Sequence, residues 1–183
     1  MQRRAIVDWM KAVTLALTIV FLVQYFFFAN YVVHGESMMP TIHDGNRLIV
    51  GKIDYEFEKP QRFDLIVFHF SKEEDFIKRI VGLPGETIAY KNDVLYVDGK
   101  PKKEPYLVPY KDKLETVSSG NLTKNFTLRE MTGRKTVPND CVFVMGDNRR
   151  HSYDSRYFGF VKMSDIVGKV DVKYWPVDAF QVY

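Results

Sequence analysis

FIKRIVGLPGE, residues 76–86, is the stretch that decides the fold. It is rich in Ile, Val and Phe, and Pro84-Gly85 closes it with a turn signal. Read as a strand, it places Phe76, Lys78 and Ile80 on one face and Ile77, Arg79 and Val81 on the other. Each face then holds one cation among apolar neighbours. Arginine stays charged and needs an anionic partner. Lysine has a second way out, because desolvation lowers its pKa until the amine is neutral. A neutral amine near neutral pH is a general base. The competing reading is that both side chains snorkel, or that the strand is an edge with one wet face.

The segments around this one follow the same pattern. NRLIVGKI (46–53), FDLIVFHF (63–70), CVFVMG (141–146) and IVGKVDVKYW (166–175) are short, apolar and β-branched. ETIAYK (86–91) and VLYVDG (94–99) flank Asn92-Asp93, which signals a hairpin. Nothing after residue 45 repeats for long at helical spacing. These elements imply a mostly β, antiparallel domain. Residues 100–139 are polar, with Lys, Ser, Thr, Asn and Pro, and read as a surface excursion or small subdomain that can hold one weak strand.

The first part of the chain differs. No charged residue occurs from Ala12 to Val33, a run of the length that crosses a hydrocarbon core as a helix. It is apolar all round, which argues against a buried soluble helix. No A-x-A site follows it, so an uncleaved anchor is expected rather than a cleaved signal peptide. Arg3, Arg4 and Lys11 precede the run, which puts residues 1–11 in the cytoplasm. The expected division is a tail (1–11), an anchor (12–30) and an extracytoplasmic domain (31–183). Tyr25 and Tyr31 suit an interfacial aromatic belt.

Composition narrows the classes. The net charge of +3 over 183 residues is too small to argue for nucleic acid. The single cysteine, Cys141, excludes an internal disulfide, and its setting reads as a buried strand. His34, His43, His69 and His151 show no metal-ligand spacing.

Two polar sites remain. GDNRRHSYDSRYFGF (146–160) packs acids, amides, arginines, serines and a histidine behind a strand. That density suggests a hydrogen-bonded network, with Asp147, Asn148 and Asp154 as partners for Arg79 and Arg156; a polar turn cluster is the alternative. HGESMMPT (34–41) places Ser37 just past the apolar run. A Ser-His-Asp triad can be assembled on paper from Ser37 or Ser152, but nothing in the spacing singles out a histidine.

SMMPT (37–41), RFDLIVF (62–68), FIKRIVGLPGE (76–86) and GDNRRHSYDSRYFGF (146–160) together resemble the four catalytic-domain boxes of bacterial type I signal peptidases. They come in that family's order, behind an N-terminal anchor, and the short anchor and small insertion are similar to the compact Gram-positive type. The resemblance implies a coiled antiparallel β-sheet catalytic domain of the signal-peptidase and repressor-cleavage type. It implies a membrane-anchored Ser/Lys endopeptidase, without cofactor or metal, acting on signal peptides of exported preproteins after small residues in an Ala-x-Ala pattern. Ser37 matches the nucleophile, Lys78 the general base and Ser152 the serine that orients the lysine. Arg79, Asp147, Asp154 and Arg156 match structural ion pairs. Tyr31, Val33, Val67 and Ile77 match the substrate pocket. Some members carry an oxyanion-hole serine where this chain has Gly35, so the hole is expected to lean on backbone N–H groups, chiefly that of Ser37. Met38 is expected either to dip into the bilayer interface or to pack within the domain. A Ser-His hydrolase and a non-catalytic tethered β-module are the rival readings. The module predicts Ser37 and Lys78 far apart or exposed.

Overall fold

After the first helix, β-branched and aromatic residues punctuated by turn residues build most of the regular structure among the described residues as strands. The computed structural model describes residues 2–52, 59–111 and 120–183, with side chains from Ile6 onward. Ile53, which ends the segment expected at 46–53, and residues 112–119 of the polar excursion lie outside the described residues.

Helix α1 (Gln2–Phe27) contains Ile6–Phe27, which is long and apolar enough to cross a membrane by length and composition. At ~1.5 Å per residue that span rises ~33 Å, close to the thickness of a hydrocarbon core. Its apolar side chains, Leu15, Leu17 and Phe21 among them, are exposed. The helix stops before the apolar run does. Phe28–Val32 form strand β1 instead, and their burial alternates, with Ala29 and Tyr31 turned inward. Aromatic and β-branched residues fit that half-buried, pleated setting.

The remaining elements follow in order: β2 (Arg47–Gly51), β3 (Leu65–His69), β4 (Asp75–Gly82), β5 (Ile88–Lys91), β6 (Val94–Val97), β7 (Lys100–Lys102), β8 (Phe126–Thr127), α2 (Leu128–Thr132), β9 (Cys141–Met145), α3 (Ser155–Phe158), β10 (Val161–Lys162), β11 (Ile166–Trp175) and β12 (Gln181–Val182). The main sheet runs β1-β2-β11-β3-β4-β9-β10, with β12 on β11. Every pairing among the described residues is antiparallel. Strand β11 shifts register at three places against β2 and β3, and such bulges increase twist. The twisted sheet brings β1 and the first half of β4 to two sides of one groove, although three strands separate them in sheet order.

The second sheet runs β7-β6-β5-β8. Asn92 and Asp93 join β5 to β6 with φ of 51° and 61°, the positive values a two-residue hairpin turn requires. Among the described residues, the polar excursion carries two short strands and a helix, β7, β8 and α2, rather than one weak strand. Thr127 and Glu130 form a capping box on α2. Three apolar clusters hold the structure: one under the small sheet around Tyr90 and Phe143, one beneath β1 and β2 around Leu48 and Val67, and one around Phe68 and Val144. Strand β9 is buried along its whole length. Its Cys141 is a packing residue, and burial pushes its thiol up to about 11.

Candidate active site

The loop after β1 is pinned from both sides. Val33 N–H donates to Asn46 O, and Gly45 N–H donates to Val33 O. Gly35 takes a φ of 93°, which suits glycine, and its N–H donates to Asp44 Oδ1 at 2.8 Å. Met39 N–H closes a turn on Glu36 O, and Ile42 N–H reaches Met38 O. Met38 and Ile42 are buried in the core below. Of the two settings expected for Met38, packing within the domain is the one found. The turn therefore holds Ser37, half-buried, over a fixed apolar base.

Lys78 lies in β4 and is 4% exposed. Its amine donates to Ser37 Oγ at 2.9 Å, across 41 residues of sequence, and to Ile77 O at 3.0 Å. The Phe76 ring centre is 4.9 Å from the nitrogen. Burial lowers the amine to about 8, against the upward pull of Asp154 and then Asp147. The tethered-module reading expects these two side chains to be apart or exposed; they are neither.

The loop after β9 wraps the back of Ser37. Asn148 N–H donates to Ser37 O and its amide Nδ2 to Glu36 O, both at 3.0 Å. Tyr110 in turn donates its hydroxyl to Asn148 Oδ1 at 2.7 Å. Asn148 thus clamps the serine's own backbone rather than partnering an arginine. A Cβ on Gly146 would overlap both Ser152 Oγ and the Ser37 carbonyl, so these groups approach only because residue 146 is glycine. Ser152 is buried there, and its hydroxyl has no hydrogen-bond partner among the described residues. The expected bond from Ser152 to the Lys78 amine is not formed; that amine is engaged by Ser37 Oγ and Ile77 O.

Two of the three expected partners, Asp147 and Asp154, each hold one arginine. Arg79 grips Asp147 through Nε at 2.8 Å and NH2 at 2.7 Å, and Thr41 donates its hydroxyl to Asp147 Oδ2 at 2.6 Å. Arg156 grips Asp154 through Nε at 2.8 Å and NH2 at 2.7 Å. Asp154 Oδ2 also accepts the Gly146 N–H. Both aspartates are wholly buried.

A groove of about 320 Å³ opens in front of the pair, lined by residues 31–38 and 75–78 with His151 and Tyr153. Tyr31, Val33 and Ile77 are in its lining. Val67 is not; it lies fully buried in the core behind Val33 and Ile77. The Tyr31 hydroxyl donates to Asp75 Oδ2 at 2.8 Å. Gly35 reaches the groove, but Asp44 occupies its N–H. The Ser37 N–H has no acceptor among the described residues. No histidine hydrogen-bonds to Ser37 among the described residues, which leaves the Ser-His reading without geometry.

The profile of the family described as "Signal peptidase, peptidase S26" matches residues 6–175, nearly the whole chain. The chain belongs to that signal peptidase family. It is 57% identical over 172 residues to signal peptidase I of Bacillus caldolyticus, covering 94% of this chain and 91% of the relative. It is 36% identical to signal peptidase IB of Staphylococcus aureus strain COL, covering 98% and 94%. Among solved structures, a signal peptidase I from Enterococcus faecalis V583 matches with a TM-score of 0.56 at 47% identity, covering 61% of this chain and 97% of that one. The chain is thus a serine endopeptidase by family, and its antiparallel β fold is that of a signal peptidase.

One part of this signal peptidase site has no local sequence signal. Arg149, wholly buried, donates to Gly146 O, the Tyr90 and Tyr106 hydroxyls, Thr123 Oγ1 and Glu104 Oε1. It bolts the loop behind Ser37 to the small sheet. Its partners lie 26 to 59 residues away, apart from Gly146, and only the three-dimensional fold joins them.

Proposed function

We propose that this chain is a membrane-anchored signal peptidase that cleaves preproteins with Ser37 as nucleophile and Lys78 as general base. The observation that carries the reading is the 2.9 Å bond between the Lys78 amine and Ser37 Oγ, made by a buried amine lowered to about 8. In the protonated state the amine donates to Ser37. Once neutral it accepts the serine proton instead, which activates the hydroxyl. Ser37 Oγ then attacks the scissile carbonyl carbon. Lys78, now protonated, returns that proton to the departing amine as the C–N bond breaks. Water then gives a proton to Lys78 as its oxygen attacks the acyl carbon, and Lys78 passes that proton to Ser37 Oγ as the acyl C–Oγ bond breaks, which regenerates the hydroxyl and the neutral amine. The free Ser37 N–H is the backbone donor available to the oxyanion; Gly35 supplies conformation rather than a donor. The buried, unpartnered Ser152 hydroxyl is the group at hand to orient the neutral amine. Arg cannot replace Lys78, because it does not deprotonate.

The apolar walls of the groove, Val33, Ile77 and Tyr31, support small apolar residues on the acyl side of the cut, in an Ala-x-Ala pattern. Helix α1 supports anchoring in a bilayer. The basic residues before it support a cytoplasmic tail (1–11) and an extracytoplasmic domain from residue 31. Ser37, ten residues past the end of α1, is then held near the membrane surface where signal peptides emerge.

The test is cleavage of a preprotein by the full chain in detergent micelles. Ser37→Ala and Lys78→Ala should each lower kcat by about a thousandfold or more with unchanged circular dichroism. Ordinary turnover by either folded variant overturns the assignment.

A further inference from the structure

One wall residue of the groove, Tyr31, is held by two residues that the reaction above does not use. Tyr31, on β1, donates its hydroxyl to Asp75 Oδ2 at 2.8 Å. Asp75 begins β4, and its Oδ1 lies 2.6 Å from His69 Nδ1 on β3. Asp75 and His69 face each other in the β3–β4 ladder, so backbone register sets that contact. Strands β1 and β4 are not neighbours in the sheet. The Tyr31–Asp75 bond therefore ties together two sides of the groove that no ladder joins. Tyr31 and Asp75 both line the groove, and His69 stands behind them outside its lining. In chain order the lining runs from Ser37 through Val33 to Tyr31 on one side, and from Lys78 through Ile77 to Asp75 on the other.

A pocket rejects a larger side chain only if its wall cannot yield. An untethered tyrosine ring can swing, whereas one held at its hydroxyl by a carboxylate, itself held by a second group, keeps its plane. Burial and the bond to Asp75 both raise the Tyr31 hydroxyl above its ordinary pKa, which keeps it a donor. We propose that Asp75 and His69 are positioning residues that lock Tyr31 across the groove and so limit the size of the side chain accepted at the third residue before the cut. This rests on the signal-peptide reading above.

The experiment uses the full chain in detergent micelles and two preproteins that differ only in Ala or Leu at that third position. The readout is the ratio of kcat/KM for the Leu substrate to that for the Ala substrate. Asp75→Ala and Tyr31→Phe should each raise the ratio about threefold to tenfold, the worth of one hydrogen bond. His69→Ala should raise it less. Asp75→Asn, which keeps an oxygen to accept the Tyr31 hydroxyl, should restore it toward wild type. The Tyr31→Phe/Asp75→Ala double variant should match the single variants, because one bond is lost only once. Ratios that stay at the wild-type value, or that multiply in the double variant, overturn the latch. Ser37→Ala is run alongside: if it cleaves normally, the underlying peptidase reading has failed instead.

Discussion

Lys78→Met separates stability from activity in a way set by burial of the amine. An ordinary lysine titrates at 10.5, and Lys78 in the folded chain is lowered to about 8. At about 1.36 kcal/mol per pH unit, keeping this amine charged in the fold costs about 3 kcal/mol. The sign follows from proton counting. Between pH 8 and 10.5 the unfolded chain holds a proton that the folded chain has released, so wild-type stability rises with pH across that window. Below pH 8 the cost is present in full. Methionine has no charge to desolvate but forfeits the bonds to Ser37 Oγ and Ile77 O, about 1 kcal/mol each. The variant should therefore be inactive yet about 1 kcal/mol more stable than wild type at pH 7, and about 2 kcal/mol less stable at pH 11. Chemical unfolding of both full-length proteins at several pH values, followed by tryptophan fluorescence, reads the difference directly. A stability difference that does not change with pH would refute the reasoning.

Other substitutions test the frame around the pair. Asp147→Asn leaves Arg79 buried without its anion and should destabilise by about 3–5 kcal/mol, seen as a lower unfolding midpoint. Gly146→Ala forces a methyl into the space of Ser152 Oγ and the Ser37 carbonyl. A displacement of about 1 Å at Ser37 should lower kcat about a hundredfold, with a smaller loss in unfolding free energy.

Much of this arrangement was readable from the residues. The strand at 75–82 is found where FIKRIVGL predicts it, and Lys78 and Arg79 leave it in different directions, one to Ser37 and one to Asp147. The Asn92-Asp93 hairpin signal is equally local and equally sound. Strand β1 was hidden because a continuous apolar run has no period to separate helix from strand; only pairing with β2 divides Phe27 from Phe28. The bond between Tyr31 and Asp75, and the cluster joining Arg149 to Glu104, Tyr90 and Tyr106, depend on tertiary placement and leave no spacing to read. Asn148 was legible as a network member, but its partner is the Ser37 backbone, which carries no residue-type signal. Val67 shows the limit of reading a pocket by residue type: an apolar residue one layer below the groove cannot be told from one on its wall.

The central claim is that Lys78 works as a neutral amine. An NMR titration of the full chain, with lysine ε-carbons labelled and Lys78→Met used to assign the signal, measures its protonation directly. The account expects a midpoint near 8 that coincides with the rising limb of kcat/KM against pH. A Lys78 midpoint near 10.5, with activity already full at pH 8, would contradict it.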